Sequence, residues 1–556
     1  MMKGAVYGLP TTRGRIAQLV RAPALQAGCR GFESLSAHHS IIRSGLRLEI
    51  LASDQTPAKR TQVRIPFYRA FVVRCIYISM AKFGLAVLRL LGVGCLLAFA
   101  TPAFSYSLLT HEQLVDLTWD DSIVPFLLSR YPGLTPAQLE EARSYAYGGC
   151  VIQDIGYYPF GQVQLSDLMH YVRSGDFVVA LLRNAQNADE LAFAVGALSH
   201  YIGDSIGHPF SVNRAVPVEF PKLGRKYGPV VNYAEGPSQH VRVEFGFDID
   251  ELAHHRMAPM SYLKHIGLNV SMRQLSLAFY QTYGVSEDFS GSRRRRVNDR
   301  AYRFAVRRFI PRVAYAVTLL HRHHEPDDVA TAEAVALRSE IAEMQKVANW
   351  QAYRHHAGVG TWLLAGLIFI SPKVGPLKLA AVKDPTPQTE VDYQHSVSLS
   401  VAALRKMLAR FTPPEKRRRP PRVPAPVDGT VQPSHELARN SHAQAVSEMR
   451  PDPRHPLPNR DLDTGNVVQP GGYPLTDKTY ASILHVLTSQ PNVPIPEGIK
   501  EDIAEYYAKP DAPITTKKDA DKWKQVQADL VTLKGMPTSP VPQPYPTYDQ
   551  LEGGQP

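Results

Sequence analysis

Between Asn187 and Phe210 the chain reads NADELAFAVGALSHYIGDSIGHPF. Apolar residues recur here at three- and four-residue intervals, the period of a helix packed on a core. Into this pattern the sequence sets His200, Asp204 and His208, each four residues after the last. Positions i, i+4 and i+8 share one face of a helix. Ala194, Leu198, Tyr201 and Ile202 surround them, so these polar groups are expected among apolar neighbours. Leaving such groups without partners costs on the order of several kcal/mol. Imidazole nitrogens and a carboxylate on one face suit zinc. Gly203, Gly207 and Pro209 loosen the last turn, which puts His208 at the end of the helix or just past it.

Further His and acidic residues stand on either side. His240 and Glu244 repeat the four-residue spacing in QHVRVEFGFD. Upstream are Asp154, in CVIQDIGYYPFG, and His170, in LSDLMHYV. His111 lies five residues after Tyr106. A single His-x3-Asp or His-x3-Glu pair is more often a surface pair or a satisfied core pair than a ligand pair. The ordered set is far more specific than any member of it.

The charge of the chain is unevenly placed. It holds 62 Lys or Arg and 51 Asp or Glu, a formal +11. Residues 1–105 contain 14 of the former and 3 of the latter, which leaves 48 of each beyond. The remainder is neutral and offers no footprint for a polyanion such as nucleic acid. Of four cysteines only Cys150 lies beyond residue 105, which excludes an intrachain disulfide and a thiolate zinc site there. At 44% hydrophobic residues, the chain as a whole has the composition of a globular protein.

Residues 1–79 show no sustained hydrophobic period. The stretch RIAQLVRAPALQAGCRGFESLSAHH resembles the conceptual translation of a transfer-RNA gene, and translation is expected to begin at Met80. Residues 80–105 then read as a signal peptide. Lys82 is the positive start, Leu85–Ala100 the apolar run, and Ala103 and Ser105 the small residues before a cut that leaves Tyr106 first. A secreted or periplasmic location follows, and an uncleaved membrane anchor is the competing reading. Residues 106–412 read as one mainly helical domain, with periodic segments at Leu114–Leu128, Val179–Ile206, Tyr262–Tyr283 and Val329–Ala348. Residues 413–475 are rich in Pro and charge and are expected to form a disordered linker. Residues 476–556 carry two short helical patterns, Tyr480–Leu487 and Ala520–Leu533, and a Pro-rich tail. Arg293–Arg296 reads as a solvated loop rather than a contact for anionic lipid. The apolar run Trp362–Ile370 is too short to span a bilayer. It reads as a buried core helix rather than a segment dipping into an interface.

The order of the His and acidic residues resembles that of the zinc-dependent phospholipase C family, an all-α fold holding three zinc ions. The family pattern is a free N-terminal residue, an early His, then Asp, His, His-x3-Asp, His and His-x3-Glu. Here these positions are filled by Tyr106, His111, Asp154, His170, His200, Asp204, His208, His240 and Glu244. The resemblance implies one zinc on Asp154, His170, His200 and Asp204, and a second on His208, His240 and Glu244. A third would use the α-amino group and carbonyl of Tyr106 with His111 and Asp204, so Asp204 bridges two ions. Asp154 would also orient or deprotonate the attacking water. The implied enzyme is a phospholipase C-type or D-type phosphodiesterase that directs a zinc-activated hydroxide at phospholipid head groups. It is expected to act as a monomer, with peripheral membrane contact. Two departures stand out. Tyr106 replaces the usual Trp, and His208 follows Asp204 by four residues rather than six. The shorter spacing is more like the branch containing glycosylphosphatidylinositol-specific phospholipase D. Single-strand nucleases and nucleotidases of the same fold are the enzymatic alternative, although their last carboxylate is typically Asp. A non-catalytic zinc-stabilised surface protein is the second alternative.

Overall fold

The computed structural model describes residues 108–287, 289, 293–321, 331–370, 382–418, 446 and 452–540. Tyr106 and the expected signal peptide lie outside them. Helices that position the site or its surroundings are α1 (Leu108–Thr118), α2 (Pro136–Gly149), α3 (Val163–Tyr171), α4 (Ser174–Arg183), α5 (Ala188–Gly207) and α6 (Pro237–Ala253). They are followed by α7 (Met272–Tyr283), α8 (Arg293–Phe304), α9 (Ile310–His321), α10 (Val359–Ile370) and α11 (Pro387–Phe411). The C-terminal part adds α12 (Pro474–Thr488), α13 (Glu497–Tyr506) and α14 (Ala520–Gly535). Among the described residues the strand content is one parallel pair, Ile495–Pro496 beside Thr538–Ser539, and one isolated bridge from Arg460 to Val467. The fold is therefore all-α, as the periodicity predicted.

Local chemistry starts the central helices where they start. The Asn187 side chain accepts from the Glu190 amide, and Asp189 and Glu190 place negative charge in the first turn of α5. Thr135 and Gln138 form a reciprocal capping box ahead of α2, with Pro136 as its first helical residue. The predicted segment Val179–Ile206 is two helices, because the chain breaks at residues 184–187 and Asn187 caps a new start. Tyr262–Tyr283 likewise divides into Met260–Ile266 and α7 around Gly267, whose φ is +90°.

Helix α5 is the axis of the domain. It crosses α2 where Gly149 faces Phe193 and Gly196 faces Ala146, and a Cβ on either glycine would overlap the opposing backbone. Glycine at both positions permits this close approach. It also sets the end of α2 beside the middle of α5. On another side α5 packs against α11, and α1 lies across its C-terminal half.

Three expectations are corrected. Composition predicts a disordered linker up to residue 475, but residues 452–473 form an ordered strap against the helical body. Composition argued that this segment cannot bury enough apolar area. Its order comes instead from polar backbone groups that find partners on the body. Tyr201 donates to the Pro458 carbonyl at 2.7 Å, Ser174 to the Arg460 carbonyl at 2.6 Å, and Asn213 to the Asp463 carbonyl at 2.7 Å. Its own Leu457 and Leu462 are buried against the body. Arg293–Arg296 is not a loop but the first turn of α8, where Arg295 is buried and paired with Glu287 at 2.6 Å.

The third correction concerns α10, expected to be buried. Trp362 is 51% exposed, Leu363 70%, Phe369 73% and Ile370 76%, while Thr361, Ala365 and Ile368 are buried. Helix α10 is apolar on all sides, so hydropathy alone could not show that a single stripe packs on α9 and the rest faces outward. No helix among the described residues is long and apolar enough to cross a membrane.

Candidate metal centre

The structure brings eight of the nine expected ligands together at the C-terminal end of α5. His200 and Asp204 come from α5 itself, and His208 opens a π-helical turn, His208–Val212, that continues it. His111 lies on α1, Asp154 on the 3-10 turn Ile152–Tyr157, His170 near the end of α3, and His240 and Glu244 on α6. All eight are buried. Gly203 leaves room for α1: a Cβ there would meet the His111 ring at 3.3 Å and Leu114 at 2.9 Å. His111 consequently stacks on His200 with ring centroids 4.2 Å apart.

Three imidazoles are oriented by backbone carbonyls. His170 Nδ1 lies 2.8 Å from the Ser166 carbonyl oxygen, His200 Nδ1 2.9 Å from that of Cys150, and His208 Nδ1 2.9 Å from that of Leu462. A carbonyl only accepts, so each Nδ1 carries a proton, and it is Nε2 that each ring turns inward, a lone pair whenever the ring is neutral. These inward atoms converge. His170 Nε2 and His200 Nε2 are 3.4 Å apart. Two facing lone pairs repel, and a cation between them removes the conflict. Ligand histidines whose second nitrogen donates to a carbonyl are a recurrent feature of metal sites.

The carboxylates close the same space. Asp204 Oδ2 is 3.0 Å from His200 Nε2 and 3.6 Å from His170 Nε2, while its Oδ1 is 3.2 Å from His111 Nε2. The two oxygens of Asp204 thus face different imidazoles. Asp154 Oδ1 is 3.3 Å from His170 Nε2. Glu244 Oε1 is 3.0 Å from His240 Nε2 and 3.4 Å from His208 Nε2. Among the described residues the carboxylate oxygens of Asp204 and Glu244 face the imidazole nitrogens alone and take no hydrogen bond from any other donor. Buried carboxylates in that state fit a cation site. Three groups each bring their ligand atoms within 4.8 Å of one another: His111, His200 and Asp204; Asp154, His170 and His200; and His208, His240 and Glu244.

Electrostatics favour positive charge in this space. Burial works against a charged His170 ring, but Asp154 and Asp204 outweigh it and hold its pKa well above the ordinary value. Burial lowers His111 and His240 to about 4, which keeps both neutral and able to ligate at neutral pH. Burial also pushes Glu244 up to about 8 against the pull of His208. A dication at this carboxylate would keep it ionised.

Sequence reasoning missed the strap. The Leu462 amide donates to the His170 carbonyl at 3.1 Å while the Leu462 carbonyl accepts from His208. Asp463 accepts from Tyr171 at 2.9 Å and Tyr473 at 2.6 Å, and its Oδ1 lies 3.7 Å from His208 Nδ1. No spacing rule links residues 208 and 463, so the sequence carried no local signal for this contact.

The family model described as zinc dependent phospholipase C matches residues 110–286. This segment belongs to the zinc-dependent phospholipase C family. It contains all eight described candidate ligands, from His111 to Glu244, and stops short of the strap. No curated protein and no solved structure matches the chain.

A fourth group, Asp176, His455 and Asp502, is equally compact. There a cation is already supplied by the protein: Arg173 Nε is 2.9 Å from Asp176 and 2.6 Å from Asp502. His455 presents Nδ1 to Asp176 at 2.9 Å and Nε2 to Asp502 at 3.3 Å, the geometry of a doubly protonated ring. Burial opposes its charge, but the two carboxylates prevail and raise the pKa to about 10. A raised folded-state pKa contributes stability that is complete below the unfolded value and fades as pH rises through the folded one. His455→Gln should therefore lower the melting temperature most near pH 6, with the difference shrinking toward pH 10. A difference that stays constant over that range would show that His455 is uncharged in the clasp.

Proposed function

We propose that the protein is a zinc-dependent phosphodiester hydrolase acting on phospholipid head groups. The observation that carries this reading is the convergence of three carbonyl-oriented imidazoles on buried carboxylates that, among the described residues, face only imidazole nitrogens. Asp154, His170, His200 and Asp204 would hold one ion, and His208, His240 and Glu244 another. His111 and Asp204 would hold a third with the α-amino group and carbonyl of Tyr106, once residues 1–105 are absent. Bound zinc supplies a Lewis acid for the phosphodiester oxygens and lowers the pKa of a bound water toward neutrality.

The remaining tasks fall to the chain. Asp154 is held ionised below its ordinary range, because His200 and His170 overcome the effect of its burial. It can accept a hydrogen bond from the attacking water and orient it. Tyr157 and Tyr233, packed against His170 and His240 with ring centroids 5.7 and 5.5 Å away, help to exclude bulk water from the imidazoles. A head-group substrate agrees with the neutral chain beyond residue 105, which holds 48 basic and 48 acidic residues. Secretion by way of the segment before Tyr106 belongs to the same proposal.

The test is metal analysis of the chain beginning at Tyr106, together with hydrolysis of phosphatidylcholine and of single-stranded DNA. Bound zinc and lipid hydrolysis are expected. Hydrolysis of DNA alone would move the assignment to the nucleases of the same architecture, and zinc without either activity would make the centre structural.

A further inference from the structure

Helix α8, the π-helical turn Ala305–Phe309 and α9 follow one another without a break. Arg293, Arg296, Arg300, Phe304, Arg308 and Arg312 are exposed and recur along this rod every three or four residues. A four-residue step overshoots one α-helical turn by about 40°. The wider π-helical turn between Phe304 and Ile310 offsets that drift and keeps the series on one side. Residues 293–312 contain nine arginines and a single acidic residue, Asp299.

The basic stripe ends at the exposed apolar helix. A Cβ on Gly360, at the start of α10, would stand 2.6 Å from Arg312 Nη2, so this guanidinium lies directly on α10. Outward from that point run Trp362, Leu363, Leu367, Phe369 and Ile370, with no charged side chain anywhere on the helix. A third exposed group lies near the other end of the rod. Phe160 is 54% exposed and sits at φ +66°, a conformation that disfavours a bulky side chain.

This surface is mounted on the elements that carry the metal ligands. Asn298 donates to the Ile155 carbonyl at 3.0 Å and Arg295 to Gln162 at 2.6 Å, which fixes α8 to the segment following Asp154. Helix α9 packs on α6, the helix of His240 and Glu244.

We propose that the exposed faces of α8, α9 and α10 form a docking surface for an anionic phospholipid membrane. The arginines meet lipid phosphates, and Trp362, Leu363, Phe369 and Ile370 enter the head-group boundary. Charge complementarity selects this occupant. A second copy would set one arginine stripe against another or against a neutral face, whereas an anionic bilayer attracts the stripe and dissolves the apolar helix. The 12 residues of α10 rise about 18 Å, short of the ~30 Å hydrocarbon core, so the helix lies in the interface.

The test uses the full zinc-loaded chain and sedimentation with vesicles of phosphatidylcholine, with and without phosphatidylglycerol. Binding is expected to need phosphatidylglycerol and to weaken at high salt. Arg300→Glu, Arg308→Glu and Arg312→Glu together should lower it roughly 100-fold or more, at about fivefold per basic side chain near an anionic surface. Trp362→Ser with Ile370→Ser should release the protein from the same vesicles. Zinc content and hydrolysis of a soluble short-chain phosphodiester should be unchanged in both variants, because none of these residues touches the metal centre. Equal binding to both vesicle types, or undiminished binding by the arginine variant, overturns the proposal. So does single-stranded DNA binding without vesicle binding. A dimer in lipid-free solution that Trp362→Ser with Ile370→Ser converts to monomer would assign the face to a second copy instead. Vesicle binding that survives while the soluble substrate is untouched would sink the hydrolase reading and leave the docking surface standing.

Discussion

Asp204→Asn is expected to remove more than one zinc ion per chain and to lower phosphodiester hydrolysis by at least about 100-fold, beyond the 10–100-fold typical of losses outside the ligand shell. The two oxygens of Asp204 face separate imidazoles, Oδ2 toward His200 and His170 and Oδ1 toward His111. Asparagine keeps the shape and deletes the charge. It also turns an N–H2 donor toward a ring nitrogen whose lone pair is needed for the ion. Both proposed cation positions that would share this carboxylate lose their counter-charge in one substitution. Glu244→Gln should be milder, since among the described residues Glu244 faces His208 and His240 alone, and it should empty mainly one position. Zinc counted on the purified variants separates the two. Full zinc content in Asp204→Asn would end the bridging assignment.

Asp463→Ala is expected to weaken zinc retention about 10–100-fold and to destabilise the fold by roughly 2–6 kcal/mol. The carboxylate accepts from two buried phenols, Tyr171 and Tyr473, and leaving each unsatisfied costs about 1–3 kcal/mol. The same loop supplies the Leu462 carbonyl that orients His208 and the amide that binds the His170 carbonyl. Loosening it frees two ligand rings to turn. Competition with a chelator and thermal unfolding measure the two effects. Normal zinc retention with a lowered melting temperature would make Asp463 a packing residue alone.

The candidate ligands were legible because helical spacing is strict. His200, Asp204 and His208 declare one face of one helix, and His240 with Glu244 another, wherever the rest of the chain goes. The all-α class was legible for the same reason. Helix breaks were less so: Asn187 can cap a helix or continue one, and the gap at 184–187 shows only in three dimensions. The strap was hidden because hydropathy registers apolar burial, whereas residues 458–463 are held by Tyr201, Ser174, Asn213 and two ligand histidines. The exposed side of α10 was hidden for the opposite reason. A helix without charged residues has no charge pattern to say which face it turns inward.

The strap joins the candidate metal centre to residues more than 250 positions downstream of His208. Contacts so distant in sequence close late, after the entropy of the intervening loop has been lost. A growing chain that has reached residue 412 carries every histidine and carboxylate of the candidate centre but not the carbonyl that orients His208. A chain ending at residue 412 is therefore expected to hold metal at the proposed centre more loosely than the full chain, a difference that competition with a chelator would measure.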